Sequence, residues 1–361
     1  MPLIVGGGPA GAAAAIKLAR AGLRPVVIER SAAPSDMLCG GFLSWNCARL
    51  LRECGVDPLK LGGHSVHRAR LFAGRRVTEL PLPQTAVGLS RRSLDKALLD
   101  RAAAAGAEIR RGITVRGIED GIVRYADGTS EKPAHLILAT GKHDVRGATR
   151  PAPANDPAVG LRWRFPASER LAGALSDAIE LHLFRQGYAG LVMQEDGAAN
   201  LCLAVRQSAF VNSGKRPDAM LAALLAQTPG LAERLSGVAV GEAQAVANIP
   251  YGWRALGGSE GLYRVGDQVG VIPSLAGEGV GIALATGMAA ADAILADVDS
   301  QTYQTTCSRQ IARPIKLSGF MWSLAERPWL ANLALILLSA LPGVGLAAMN
   351  ITRVQVSPRR R

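Results

Sequence analysis

The chain has 361 residues and a formal charge of +12, from 41 basic against 29 acidic residues; 48% of it is hydrophobic and 4% aromatic. That balance supports a sizeable buried core and excludes wholesale disorder, while so few aromatics provide no stacking platform for nucleic acid. The cysteines (Cys39, Cys47, Cys54, Cys202, Cys307) are odd in number and show no CxxC spacing, and the histidines form no ligand pattern, so neither a disulfide framework nor a metal site is expected. In chain order, Pro2-Leu3-Ile4-Val5 predicts a buried strand, followed by Gly6-Gly7-Gly8-Pro9-Ala10-Gly11, an alanine-rich helix, and a second strand, Val26-Val27-Ile28, ending in Glu29-Arg30. A core strand starting at Pro2 leaves no room for a leader, and a cytoplasmic location is the expectation.

A polar stretch from Ser31 to Asp36 leads into Met37-Leu38-Cys39-Gly40-Gly41-Phe42-Leu43-Ser44-Trp45. A helix through Ala48, Leu50, Leu51 and Cys54 then stops at Gly55, and it places Cys47 and Cys54 on one face, as core residues. Arg68 to Pro83 reads as a hairpin about Ala73-Gly74. Ser90 opens a helix that Gly106 closes. Ile109 to Ile118, Gly121 to Tyr125 and a turn at Asp127-Gly128 form a β-meander, and the apolar strand His135 to Ala139 ends at Thr140-Gly141. A proline-rich junction, Pro151 to Pro157, marks a boundary. Beyond it come extended runs at 160–165, 179–184, 188–194 and 200–205, interrupted by one helix from Pro217 to Leu225. The chain then returns through Gly261 to Asp267, a helix from Gly279 to Ala296 follows, and two further helical stretches close it.

Two passages carry chemistry. In the first, Gly6 permits a tight turn out of a strand, Gly8 lets backbone approach a pyrophosphate, and Gly11 lets the helix lie close on the sheet. Pro9 pre-sets the first helical turn, whose free N–H groups and positive dipole end face the phosphates. Glu29 follows at the distance where a carboxylate accepts a ribose hydroxyl. The second passage is Gly266-Asp267 at a strand end, then Pro273, and Gly277-Glu278-Gly279-Val280-Gly281 opening a helix.

Together these passages resemble the two-part FAD site of the p-hydroxybenzoate-hydroxylase-like flavoproteins. The resemblance implies that Asp267 contacts the ribityl chain, and that Pro273, Gly277, Gly279 and Val280 line the ring. It also places Ala10, Arg30, Ala139, Thr140 and Gly141 beside the cofactor. Arg91, in Arg91-x-x-Leu94-Asp95-x-x-Leu98, matches a superfamily arginine near FAD; a solvated helix start is its other reading. Cys39-Gly40-Gly41-Phe42-Leu43-Ser44 and the Gly-Glu-Gly of the second passage are similar to the geranylgeranyl-reductase branch. That branch typically carries Tyr-x-Trp-x-Phe-Pro where this chain has Tyr188-Ala189-Gly190-Leu191-Val192-Met193, without the tryptophan or the proline. Trp163-Arg164-Phe165-Pro166 is similar to a flavin-halogenase motif, with one tryptophan only.

The expected fold is α/β: a discontinuous Rossmann-like FAD-binding domain with a β-meander (residues 1–66, 84–150 and 257–300), a mostly antiparallel substrate domain (67–83 and 151–256), and a C-terminal helical segment with a basic tail (301–361). The expected activity is hydride transfer at flavin N5 to or from a hydrophobic, lipid- or polyketide-like substrate. The same fold also supports hydroxylation of a phenolic ring through oxygen, or electron transfer to a quinone or protein. Cys39, which the family places at the ring, is the candidate catalytic residue, as a proton donor; packing as a small hydrophobe is its alternative. NAD(P)H stays open as external reductant, since no second glycine fingerprint is visible. From Tyr303 onward Glu326 is the sole acid against eight bases, and Pro328 to Thr352 carries no charge. Pro342, Gly343 and Gly345 confine the helix to Trp329–Leu341, too short to span a bilayer. This segment either lies in an anionic membrane interface, at the inner face, or caps the substrate domain. Oligomeric state is not legible.

Overall fold

A computed structural model describes residues 1–151 and 155–354. Ala152 to Ala154 of the proline-rich junction and the tail bearing Arg359 to Arg361 lie outside the described residues. The first half runs β1 (Pro2–Val5), α1 (Pro9–Arg20), β2 (Val26–Glu29), β3 (Phe42–Leu43), α2 (Trp45–Glu53), β4 (His64–Ala73), β5 (Arg76–Gly88), α3 (Arg91–Ala104), β6 (Glu108–Arg111), β7 (Val115–Glu119), β8 (Ile122–Tyr125), β9 (Ser130–Glu131) and β10 (His135–Leu138). Next come β11 (Ala158–Phe165), α4 (Glu169–Leu175), β12 (Ala178–Phe184), β13 (Gly187–Met193), β14 (Ala199–Arg206), α5 (Gln207–Asn212), α6 (Pro217–Gln227), α7 (Pro229–Leu235), β15 (Gln244–Ile249) and β16 (Leu262–Arg264). Four further helices follow among the described residues: α8 (Gly279–Leu295), α9 (Ser300–Ala325), α10 (Pro328–Ala340) and α11 (Pro342–Ile351).

The α/β architecture is the one expected. Five parallel strands in the order β16-β10-β1-β2-β6 form the Rossmann-like sheet. Their unbroken apolar runs (Leu3-Ile4-Val5, Leu136-Ile137-Leu138) suit strands covered on both faces. On one face α1 and α8 cross in backbone contact, because a Cβ at Gly287 would stand 2.1 Å from the Ala10 carbonyl oxygen. That contact brings the two glycine passages, more than 250 positions apart in sequence, to one place. β7, β8 and β9 form the meander.

The second sheet has eight strands in the order β15-β11-β14-β13-β12-β4-β5-β3, antiparallel except where β12 runs alongside β4. The hairpin about Gly74 joins this sheet as expected. Alternation sorts the side chains of β11 and β14. Val159, Leu161, Trp163, Phe165, Ala199, Leu201 and Val205 pack beneath α4, α6 and α7. Gly160, Arg162, Asn200 and Cys202 point the other way. Trp163 is thus core, on the face away from the cavity described below.

Three expectations need correction. One helix was expected between residues 159 and 256, whereas four form; α4, α5 and α7 are only six or seven residues long and show too little periodicity to be seen. The 109–118 run is two strands: β6 joins the parallel sheet and β7 the meander. Finally, Pro342 and the following glycines do not end helical structure. Pro342 takes the first position of α11, where its missing N–H costs nothing, so among the described residues three helices rather than two follow α8.

Candidate active site

One cavity of about 960 Å³ runs from the Gly6–Gly8 turn, across the parallel sheet's C-terminal edge, to α10 and α11. It lies where open α/β sheets bind ligands. Gly6, Gly8, Pro9, Ala10, Glu29, Arg30, Cys39, Arg91, Ala139, Thr140, Gly141, Asp267, Gly277, Gly279 and Val280 all line it. Gly11 and Pro273 stand behind the wall. A Cβ at Gly11 would sit 2.0 Å from the Gly6 carbonyl oxygen, and the Pro273 carbonyl accepts a hydrogen bond from Ser318 Oγ at 2.9 Å.

The nucleotide end is made of backbone. Gly6 has φ +109°, and a Cβ there would lie 2.4 Å from the Ala139 carbonyl oxygen, so the fold itself demands glycine. Gly8 is different: its φ is ordinary, and an added Cβ would meet only Arg91 Nη2, at 3.4 Å. The bare face of Gly8 opens on the cavity, as do Gly141 and Gly279, where a Cβ would meet nothing within 4 Å. Neither α1 nor α8 has a side-chain cap, so the N–H groups of both first turns remain available to a ligand. Glu29 is pinned by N–H donors from Gly7 and Ser31, both at 2.8 Å. This cradle fits a dinucleotide flavin: open glycine faces, two uncapped helix starts, a fixed acid at one end and Asp267 further along.

Arg91 is not a solvated helix start. Its guanidinium is largely buried and donates to both Asp95 oxygens, at 2.8 and 2.7 Å. Burial opposes its charge, but the Asp95 carboxylate prevails and holds the pKa above the usual value. Burial raises the Asp95 carboxyl despite Arg91. The helix start carrying Arg91 is held by Glu195, which accepts from Ser90 N, Ser90 Oγ and Ser93 Oγ. On the other side Arg30 Nη2 donates to His143 Nε2 at 2.6 Å, and burial together with Arg30 keeps that imidazole below its ordinary pKa.

Several side chains that position the site carry no sequence signature. Asn200 Nδ2 donates to the carbonyls of Cys39 and Gly40, at 3.1 and 2.8 Å, while its Oδ1 accepts from buried Arg162. Arg162 in turn binds Asp36, so the Cys39 loop is clamped from both ends to the large sheet. Gln268, fully buried, donates to the carbonyls of Gly141 and His143, and Thr286 Oγ1 accepts from Gly266 N. Glu278, also fully buried, accepts from Ser44 Oγ, Asn46 Nδ2 and Arg353 Nη1 at 2.8, 2.8 and 2.6 Å. That ion pair latches the end of the described chain to the start of α8. Asn200 and Arg353 each meet partners far away in sequence, which is why no spacing betrays them, whereas Glu278 stands in the Gly-Glu-Gly motif and only its partners are hidden.

Beyond the nucleotide turn the walls become apolar, with Leu181, Leu183, Ile249, Leu335, Leu338 and Met349 among them. Few hydrogen-bonding groups interrupt them. Cys39 lies there, its Sγ accepting from Gly41 N at 3.5 Å. Cys202 has its thiol pushed up to about 12, by burial first and then by nearby Cys39. Ser274 Oγ sits between the hydroxyls of Tyr188 and Tyr251, and burial raises both phenols above their usual pKa. Cys47 and Cys54 pack in the main core, as expected.

The FAD binding domain family matches residues 2–143. The chain is 28% identical over 313 residues to a menaquinone reductase of Mycolicibacterium smegmatis, covering 80% of this chain and 75% of that protein. It is 26% identical over 335 residues to a digeranylgeranylglycerophospholipid reductase of Thermoplasma volcanium, covering 83% and 79%. Among solved structures the flavin-dependent brominase Bmp2 superposes with a TM-score of 0.80 at 17% identity, covering 98% of this chain and 94% of that one, a likeness of fold. FAD is therefore the cofactor that the cradle serves. The chain is an FAD-dependent oxidoreductase with an FAD binding domain over residues 2–143, and it is similar to the menaquinone and digeranylgeranylglycerophospholipid reductases.

Proposed function

We propose that the protein is a reductase that adds two hydrogens across a carbon–carbon double bond of a lipophilic, isoprenoid-bearing substrate. The observation that carries this reading is the apolar half of the cavity, which is continuous with the cofactor cradle and has few polar groups to anchor a phenol or a sugar. The relatives named above are reductases whose names specify a quinone and a glycerophospholipid.

FAD held by the Gly6–Gly8 turn, Glu29, Asp267 and the start of α8 would supply hydride chemistry at N5 of its reduced ring. This chain's own residues do the rest. The apolar walls align the chain of the substrate and exclude water. Asn200 and Arg162 hold the Cys39 loop against the cavity, and Cys39 gives its thiol proton to the second carbon and regains it from water. NAD(P)H or another external donor restores the reduced state.

Anaerobic incubation of reduced enzyme with isoprenoid quinones and prenylated lipids, followed by mass analysis, tests this reading. A product heavier by two hydrogens supports it. Turnover that requires O2 and incorporates labelled oxygen establishes a monooxygenase instead, and quinone reduction without any saturated carbon product establishes an electron carrier. With Cys39→Ala, retained FAD and unchanged turnover remove Cys39 from the proton path.

A further inference from the structure

We infer that α9, α10 and α11 form a docking surface for an anionic lipid bilayer, with the cavity mouth inside the docked face. The inference rests on the lipophilic-substrate reading above and adds where that substrate comes from. Its first support is the two-sidedness of the helix pair. Leu335 and Ala331 face inward and are fully buried, whereas Trp329, Leu333, Ile336, Leu341 and Ile351 are exposed. Phe320, Leu337 and Val344 line the cavity yet keep 59%, 52% and 57% of their surface exposed, so the mouth is ringed by the same apolar patch. Large contiguous exposed apolar surface marks an interaction site.

The second support is charge. Arg309, Arg313 and Lys316 recur at helical spacing on α9, all exposed, and Phe320 continues the same stripe. A shallow groove joins these bases to Leu317 and Ile351 at the edge of the patch. Arg327, also exposed, lies beside Trp329 at the start of α10. Between residues 300 and 354 Glu326 is the sole acid, and Arg206 neutralises it through both carboxylate oxygens. Two copies of this chain meeting through the patch would bring basic stripe to basic stripe, whereas an anionic leaflet complements both the bases and the apolar helices between them.

The geometry fits an interfacial rather than a spanning arrangement. No single helix among the described residues is long and apolar enough to cross a membrane, and α10 and α11 meet at 108°. At 13 residues α10 is roughly 20 Å long, a length that lies in the interface plane with tryptophan at its polar end. On this inference the segment covers the cavity with one face and presents the other to the bilayer.

Vesicle flotation of the full FAD-bound chain tests the inference without needing a substrate. Phosphatidylcholine vesicles containing phosphatidylglycerol should carry the protein up, and pure phosphatidylcholine should carry much less. Arg309→Glu/Arg313→Glu/Lys316→Glu should lower partition to the anionic vesicles by roughly a hundredfold, and Leu337→Glu/Val344→Glu should abolish it. Each variant is checked for bound yellow cofactor and unchanged elution volume, so that misfolding is not scored as lost docking. Full-length chain with Arg359, Arg360 and Arg361 changed to Gln should still float. Wild-type protein left in the soluble fraction with both vesicles overturns the inference, as does a dimer that Leu337→Glu separates. Neither outcome touches the reductase reading, which detergent-dispersed substrate tests independently.

Discussion

The two ends of the cavity are built from different materials. At the nucleotide end the ligand meets backbone: open glycine faces, two helix N-termini and one pinned carboxylate. At the other end it meets apolar side chains delivered by the large sheet and by helices near the C-terminus. The first needs particular residues at fixed spacing along a few turns of chain, so mutations there act on cofactor binding. The second needs volume and hydrophobicity, and it depends on long-range latches to keep its walls in place.

The largest expected effect is on the latch. Arg353→Ala leaves the Glu278 carboxylate buried at zero exposure without its cation, at a cost of about 3–5 kcal/mol. Urea unfolding should show that loss; a loss under 1 kcal/mol would mean that Ser44 and Asn46 suffice for the carboxylate.

Next comes a paired test within the glycine turn. Gly11→Val drives a side chain into the Gly6 carbonyl and should destabilise even the FAD-free protein by about 3 kcal/mol. At Gly8 an added Cβ would meet only the end of the Arg91 side chain, at 3.4 Å, so the FAD-free melting temperature of Gly8→Val should stay within a few degrees while FAD affinity collapses. Equal destabilisation by both changes would erase the distinction between fold glycines and ligand glycines.

At the clamp, Asn200→Asp keeps the acceptor for Arg162 but puts an oxygen against the carbonyls of Cys39 and Gly40. FAD should remain bound while turnover drops about a hundredfold, the usual consequence of displacing a reacting group by an ångström. Spectrally normal holoprotein with normal turnover would detach the Cys39 loop from the chemistry.

The smallest effect is a pH dependence remote from the site. His182 is fully buried, stacked on Phe72 at 4.4 Å, with Nε2 facing Glu180, near Arg70 and Arg234. Burial lowers its pKa from 6.5. Below pH 6.5 the unfolded chain therefore takes up a proton that the folded chain refuses, and stability falls as pH drops through that window, by at most about 1.4 kcal/mol per pH unit. Denaturation curves across this range should show a shallower slope in His182→Phe than in wild type, the remainder coming from groups such as His143, whose pKa is also lowered.

The same contrast explains what the sequence makes legible. The strand–turn–helix of Gly6 to Gly11, Glu29 at its distance, and Asp267 before Gly277 and Gly279 are local patterns with local physical causes, and the parallel sheet follows from apolar runs such as Leu136-Ile137-Leu138. The clamp and the latch are not legible in this way. Asn200 reaches Cys39 across 161 positions and Arg353 reaches Glu278 across 75, with nothing in their neighbourhoods to mark them. Short helices such as α4 and α7 escape because seven residues hold barely two turns of periodicity. α11 escapes because Pro342 looks like a stop when it is a start.

That the two ends serve one reaction can be watched directly in the colour of the protein. Holoprotein bleached with dithionite under strict anaerobiosis, freed of excess reductant and mixed with an isoprenoid lipid, should regain its yellow absorbance as that lipid gains two hydrogens. A protein that stays bleached through the whole panel of lipids and turns yellow only when air is admitted would contradict the account.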